Sequence, residues 1–190
     1  MLAVLNLVER IFDRIDRAIA PWLLPALARF VFAATLAVYY WKSAASKLGD
    51  GIFSLSVGAY AQIFPKAMEA ASYNPANLSF PGLRALIVYA ATYGEFILPF
   101  LIIVGLLTRL AALGMIGFVT VQSIVDITGH GLSEKSIGAW FDNVPDSLIL
   151  DQRAFWIFLL LFIVAKGGGS LAIDRLLIDN RRQERSENSS

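Results

Sequence analysis

Residues 85–107 read ALIVYAATYGEFILPFLIIVGLL, an apolar run that a single charged residue, Glu95, interrupts. A helix needs about 20 predominantly apolar residues to cross the hydrocarbon core of a bilayer. The run is therefore long enough to span a membrane, and Glu95 lies near its midpoint. An ionisable residue there costs at least ~2.5–3.5 kcal/mol on insertion scales, so we expect Glu95 to have a partner or a functional task.

The composition of the whole chain is that of a membrane protein. Of its 190 residues, 57% are hydrophobic and 16% are charged, whereas a soluble domain carries about 25% charged residues. Backbone groups in lipid must be satisfied internally, and continuous apolar runs favour helices over a barrel. The sequence predicts an all-α, polytopic four-helix bundle that forms a single membrane domain over residues 1–178. A disordered polar tail is expected at residues 179–190.

The residue counts exclude several kinds of site. The chain has no Cys and one His, which excludes disulfides, thiolate metal sites, iron–sulfur clusters and a haem with two His ligands within it. Its net charge of +1 gives no basis for nucleic-acid binding. We expect no metal site and no covalently bound cofactor. Any electron carrier must be a bound organic molecule, such as a quinone, or belong to a partner.

Four segments are predicted to cross the membrane, and an amphipathic helix at residues 1–20 precedes them. That helix either lies on the membrane surface or packs against the bundle. The predicted spans are residues 22–41, 85–107, 110–127 and 154–173. The distribution of Lys and Arg favours both termini in the cytoplasm, which puts two long loops, residues 48–82 and 128–153, outside. Within the first loop, IFSLSVGAYAQIF (52–64) is too short to span and is predicted to form an interfacial or re-entrant helix.

Basic residues inside the spans are candidate partners for Glu95. Arg29 and Lys166 each lie ~10 Å from the inner end of a predicted span, and a long side chain bridges most of the distance from there to Glu95. Both side chains have an alternative, because they can extend to the headgroups instead. Pro99 predicts a kink in the helix that carries Glu95, which either makes room for a ligand or only shapes the helix.

A second polar set lies near the outer ends of the spans. Asp126 and His130 have i,i+4 spacing, so they either exchange a proton near neutral pH or satisfy a helix end. A quinone headgroup needs a donor for each carbonyl and an apolar slot, which polar residues within spans can supply. Glu95 is therefore the candidate catalytic residue. The candidate ligand-binding residues are Arg29, Lys47, Tyr93, Gln122 and His130.

Three further segments resemble one family. SAASKLG at 43–49, GEFILPFLIIVGLLTRLAAL at 94–113 and KGGGSLAID at 166–174 resemble, in order and spacing, the corresponding segments of DoxX-type membrane proteins. The resemblance covers roughly residues 25–178 and implies a four-helix bundle in a bacterial inner membrane with both termini cytoplasmic. Its matching polar residues are Arg29, Lys47, Glu95, Arg109, Ser170 and Asp174. A structural role is expected for Arg109, Lys166, Ser170 and Asp174.

The resemblance implies an accessory subunit of a quinone-dependent oxidoreductase of the thiosulfate- or thiol-redox type. A partner protein would then carry the redox cofactor. The alternative is a non-catalytic membrane anchor or assembly protein that binds a periplasmic partner through the long loops. A small-solute transporter is the weakest interpretation, because it needs broken helices or inverted repeats. Pro99 supplies one break, and no repeat is evident. Whether the chain has an activity of its own is left open.

Overall fold

The computed structural model describes residues 1–177 and 179, without the side chains of residues 2 and 3. Four of its helices are long and apolar enough to cross a membrane, which confirms the predicted all-α four-helix membrane bundle. We number the helices in chain order. The four spans are α2 (Leu23–Lys47), α5 (Pro81–Val104), α6 (Thr108–Thr128) and α8 (Leu148–Lys166). Two of them contain a π-helical turn, at Ala33–Ala37 in α2 and at Leu148–Arg153 in α8.

Shorter elements connect the spans. A helix precedes the first span, a two-stranded antiparallel hairpin and two short helices follow it, and one short helix lies between the last two spans. They are α1 (Leu2–Ile19), β1 (Leu48–Gly49), β2 (Gly51–Leu55), α3 (Val57–Ile63), α4 (Pro65–Ala70) and α7 (Glu134–Ile137). We call the end of the bundle that carries residues 48–80 and 129–147 the loop end. The end that carries residues 20–22, 105–107 and 167–177 is the termini end.

The observed spans differ from the predicted ones at several ends. α2 continues to Lys47, six residues beyond its predicted end at 41. The last span ends at Lys166, which corrects its predicted end at 173. Gly167 causes that early end, because its φ of +73° is left-handed and cannot continue an α-helix. Gly105, with φ +75°, ends α5 in the same way. Lys166 is consequently the last residue of a helix rather than a residue deep in a span.

The segment predicted as a helix over 52–64 is helical only from Val57. Its first part is strand β2, which pairs with β1, and two tyrosines on α5 bind the strand backbone. The hydroxyl of Tyr89 donates to the Phe53 carbonyl at 2.8 Å, and that of Tyr93 donates to the Ile52 carbonyl. Ser56 then caps α3 by accepting from the Ala59 amide. The hairpin and α3 therefore lie against α5 at the loop end.

The core lies where the four spans meet. Phe32, Tyr40, Met115 and Leu160 are fully buried in one cluster, and Tyr40 packs edge-on against Phe118 and near Trp156. This packing fixes the middle of α2 beside the middle of α6.

The amphipathic helix α1 does not pack on this bundle, since residues 4–18 are all exposed. Of the two alternatives for α1, packing against the bundle is therefore contradicted. Its apolar face is available for the membrane surface.

Candidate functional site

A buried ion pair joins the first and second spans. Nζ of Lys47 lies 2.7 Å from Oε2 of Glu95, and the two side chains are only 5% and 4% exposed. Lys47 is the last residue of α2, and its side chain runs back along the helix toward Ser43. Side chains on an α-helix tilt toward its N-terminus, so this direction is the natural one. It brings the ammonium toward the middle of the bundle, where Glu95 lies.

Ser43 completes the hydrogen bonds of the pair. Its hydroxyl accepts from Lys47 at 2.7 Å and donates to Oε1 of Glu95 at 3.2 Å, so both carboxylate oxygens are engaged. The indole of Trp41 donates to the Phe96 carbonyl at 3.2 Å and holds α2 beside α5 at the same level. A buried pair is compatible with a stable fold only when its remaining polar atoms are also satisfied. Lys47, Ser43 and Glu95 meet that condition and form a preorganised unit.

Arg29 is not the partner of Glu95, and the prediction that it pairs with Glu95 is wrong. Its guanidinium donates to three backbone carbonyls at the termini end: Ile102 at 2.9 Å, Gly168 at 3.0 Å and Ile103 at 2.5 Å. The last carbonyls of a helix have no partner within it. Arg29 supplies partners for the end of α5 and thereby ties it to the loop after α8. It lies outside the cavity beside Glu95.

A cavity of about 460 Å³ lies beside the ion pair, between α2, α3, α5 and α6. This volume is within the range of small-molecule sites. Exposed small residues, among them Ala90, Gly114 and Gly117, line it where α5 and α6 meet. The cavity is therefore open sideways, through the surface that faces lipid in a membrane. Its polar lining includes Tyr39, Ser43, Lys47, Glu95, Gln122 and His130.

Gln122 and Tyr39 form a polar group on one wall of this cavity. The Gln122 amide donates to the Tyr39 hydroxyl at 3.0 Å and accepts from the Tyr40 hydroxyl at 3.5 Å. Within the described part of the chain, no acceptor takes the proton of the Tyr39 hydroxyl. Tyr39 and the second N–H of the Gln122 amide are therefore donors that a ligand can use. Sequence reasoning included Gln122 but missed Tyr39.

His130 lies at the loop-end rim of the cavity. Its Nε2 is 3.0 Å from the Gln62 carbonyl. A carbonyl can only accept, so Nε2 carries the hydrogen and Nδ1 is left as an acceptor in the neutral ring. Asp126 does not act with His130 here, because Arg153 binds it at 2.5 Å and also donates to Ser123. Arg153 is 2% exposed, and sequence reasoning missed it because it lay just outside the predicted span.

Tyr93 also lies outside the cavity, since its hydroxyl binds the hairpin. Of the predicted ligand-binding residues, the cavity thus brings together Lys47, Gln122 and His130 with Glu95, and it leaves out Arg29 and Tyr93. The ligand-binding role of the first three stays a prediction.

The four residues expected to be structural meet at the termini end, around a second cavity lined by Arg109, Lys166, Ser170 and Asp174. Asp174 caps α6. Its carboxylate accepts from the amides of Leu107 and Thr108 and from the Thr108 hydroxyl, at 2.7–2.9 Å. Burial alone raises the pKa of Asp174, but the bonds from Thr108 and Leu107 and the charge of Arg29 outweigh it. The pKa of Asp174 is consequently lowered.

Comparison with curated proteins and with solved structures found no match. The sequence model of the DoxX family matches residues 24–126, which is more than half of the chain. The matched segment covers the first three spans except for one residue at its start and two at its end, and it contains both residues of the ion pair. Together with the four apolar spans, this match shows that the chain is a membrane protein of the DoxX family.

Proposed function

We propose that the chain is the membrane subunit of a quinone-linked oxidoreductase, and that the cavity beside Lys47 and Glu95 binds the quinone headgroup. The observation that supports this proposal is an apolar cavity, open toward lipid, with a buried ion pair on its wall. Quinones dissolve in the bilayer, so a lateral opening suits their entry. Among the apolar ligands that fit such a cavity, a quinone is the one that the DoxX resemblance implies.

The polar residues suit the two ends of a quinone ring. The Tyr39 hydroxyl and the Gln122 amide can donate to one carbonyl. Lys47, Ser43 and Glu95 form a connected line of hydrogen bonds further along α2 from Tyr39 and can supply or accept a proton at the other carbonyl. A bound quinone would take up two electrons and two protons on reduction. The electrons would come from a partner protein that oxidises thiosulfate or a thiol.

The charge distribution supports a placement with the termini end in the cytoplasm of a bacterial cell. Basic residues near the termini end include Arg10, Arg14, Arg17, Arg109, Lys166 and Arg175. The loop end carries Lys42, Lys47, Lys66, Arg84, Lys135 and Arg153, so the excess at the other end comes from Arg181, Arg182 and Arg185, which follow in the sequence. An excess of Lys and Arg marks the cytoplasmic side. In the inner membrane, the long loops would then face the periplasm and could contact the partner.

One substitution can fill the cavity without disturbing the ion pair. Gly117 lines the cavity, and a Cβ added there has no neighbour within 4 Å. Leu at this position should occupy the mouth, and it should not weaken the helix because Gly is a poor helix former. Gly82 is the matched control, since it also lies in a span, also has open space around its Cβ position and lies outside the cavity.

The experiment is equilibrium binding of a short-chain benzoquinone to the purified protein in mild detergent. We expect Gly117→Leu to weaken binding at least about tenfold, a loss of ~1.4 kcal/mol. Gly82→Leu should bind like the wild type, and both variants should unfold at wild-type denaturant concentrations. Equal binding by all three proteins would show that the quinone does not bind in this cavity.

One observation favours the anchor function as the second candidate. Trp140 and Phe141 are exposed side by side on the loop between α7 and α8, and aromatic residues are enriched at protein interfaces. An anchor needs no quinone. Wild-type protein that binds no quinone, but still co-purifies with a periplasmic protein, would therefore favour this second function.

A further inference from the structure

The cavity at the termini end has a volume of about 690 Å³ and is lined in part by basic side chains. It lies between the first turn of α6 and residues 167–170, which follow α8. Three basic residues line it: Arg109 from α6, Lys166 from the end of α8, and Arg175. The quinone proposal uses none of them.

The glycine loop brings the first two basic residues together. A Cβ on Gly167 would lie 3.1 Å from Nε of Arg109, so the guanidinium lies directly against the residue that follows Lys166. Gly168 packs just as closely, because its Cβ would lie 2.8 Å from the Thr108 hydroxyl. Residues with side chains would therefore push the loop away from α6. Gly167 and Gly168 thus let the loop that follows Lys166 lie against Arg109 and Thr108, at one edge of the cavity.

Two of the three basic residues have no carboxylate partner within the described part of the chain. There, neither Arg109 nor Lys166 has a carboxylate within 4 Å, while Arg175 pairs with Asp179 at 3.1 Å. Asp174 also lines the cavity, but its oxygens already accept from Leu107 and Thr108. Those bonds also occupy the first amides of α6, so the helix N-terminus offers little to a ligand. The basic side chains are the groups left to bind an anion.

Apolar residues adjoin this positive cavity. Leu107, Leu110 and Leu177 line it and are 54%, 64% and 49% exposed. The cavity lies where two spans end, which is the level of the lipid headgroups in a membrane. A phosphate group fits between Arg and Lys side chains, and an apolar flank suits acyl chains rather than water. We propose that this cavity binds the phosphate headgroup of an anionic phospholipid.

Native mass spectrometry of the purified full-length protein can test this, with phosphatidylglycerol and phosphatidylcholine of the same acyl chains as probes. We expect the wild type to bind phosphatidylglycerol more tightly. The double variant Arg109→Gln/Lys166→Gln should bind it about 30-fold more weakly, since each basic side chain near an anionic surface contributes about fivefold. Lys66→Gln/Lys135→Gln removes the same charge from exposed positions at the loop end and should bind like the wild type.

Three results would overturn the proposal: equal affinity of the wild type for both lipids, an equal loss in both double variants, or displacement of the lipid by an equimolar amount of inorganic phosphate. The last result would assign the site to free phosphate. If the Arg109 variant does not fold, Lys166→Gln alone changes only an exposed residue at a helix end. It should weaken phosphatidylglycerol binding about fivefold, and unchanged binding would equally contradict the proposal.

Discussion

Removing both Lys47 and Glu95 should destabilise the bundle by less than the sum of the losses caused by removing each one alone. Lys47→Met leaves the Glu95 carboxylate buried with one hydrogen bond, from Ser43. Removing one partner of a buried ion pair costs about 3–5 kcal/mol, because the other charge is left uncompensated. Glu95→Gln keeps an acceptor for Lys47, so its cost should be that of a charge-assisted hydrogen bond, about 1.5–3 kcal/mol.

The double variant Lys47→Met/Glu95→Gln contains neither charge, so its loss should be smaller than the sum of the two single losses. We expect a coupling free energy of about 2–3 kcal/mol, at the upper end for contacting residues. The assay is reversible unfolding by SDS in mixed micelles, followed by circular dichroism. Lys42→Met is the matched control, because Lys42 is an exposed Lys of the same helix, and its free energy of unfolding should change by less than about 0.5 kcal/mol. Single losses that add to within about 0.5 kcal/mol would refute the pairing.

Two further predictions concern the termini end. Arg29→Gln should lower the free energy of unfolding by at least about 2 kcal/mol, because three carbonyls lose a charged donor. This loss should add to the loss caused by Glu95→Gln. A strong coupling between the two substitutions would contradict separate roles for Arg29 and Glu95. Asp174→Asn should cost about 1.5–3 kcal/mol at neutral pH, because the amide has no charge and only one oxygen to accept the hydrogen bonds from Leu107 and Thr108. Because the pKa of Asp174 is lowered by folding, its contribution is present above its ordinary pKa and is lost as pH falls through the folded-state pKa. Unfolding curves from pH 7 to pH 3 should therefore show a smaller loss of stability in the Asn variant than in the wild type, and parallel losses would count against the cap.

The four spans could be predicted from the sequence because apolar runs of sufficient length have few alternatives to membrane helices. The ends of the spans were less predictable from the sequence. Gly167 stops the last span because its backbone is left-handed, and a hydropathy pattern does not show backbone conformation. An incorrect helix end also led to the wrong predicted partner for Glu95. With the first span ending at residue 41, Lys47 lay outside the membrane, while Arg29 and Lys166 lay inside.

In the structure α2 continues to Lys47, whose side chain then runs back along the helix to reach Glu95. The sequence thus indicated that Glu95 needs a partner, but it did not indicate which residue that partner is. Arg29 instead binds carbonyls that a turn at Gly105 exposes, and counting residues along a span cannot reveal such a contact. From the sequence, Gln122 and His130 could be identified only as polar residues near the outer ends of the spans.

We propose that a quinone binds between α5 and α6 beside the Lys47–Glu95 pair. Photolabelling of the purified protein with an azidoquinone, followed by peptide mapping, tests it most directly. We expect labels on residues 87–95 and 114–125, with loss of those labels in Gly117→Leu and retention in Gly82→Leu. Labels spread over the lipid-facing surface of all four spans, or unchanged labelling in Gly117→Leu, would contradict it.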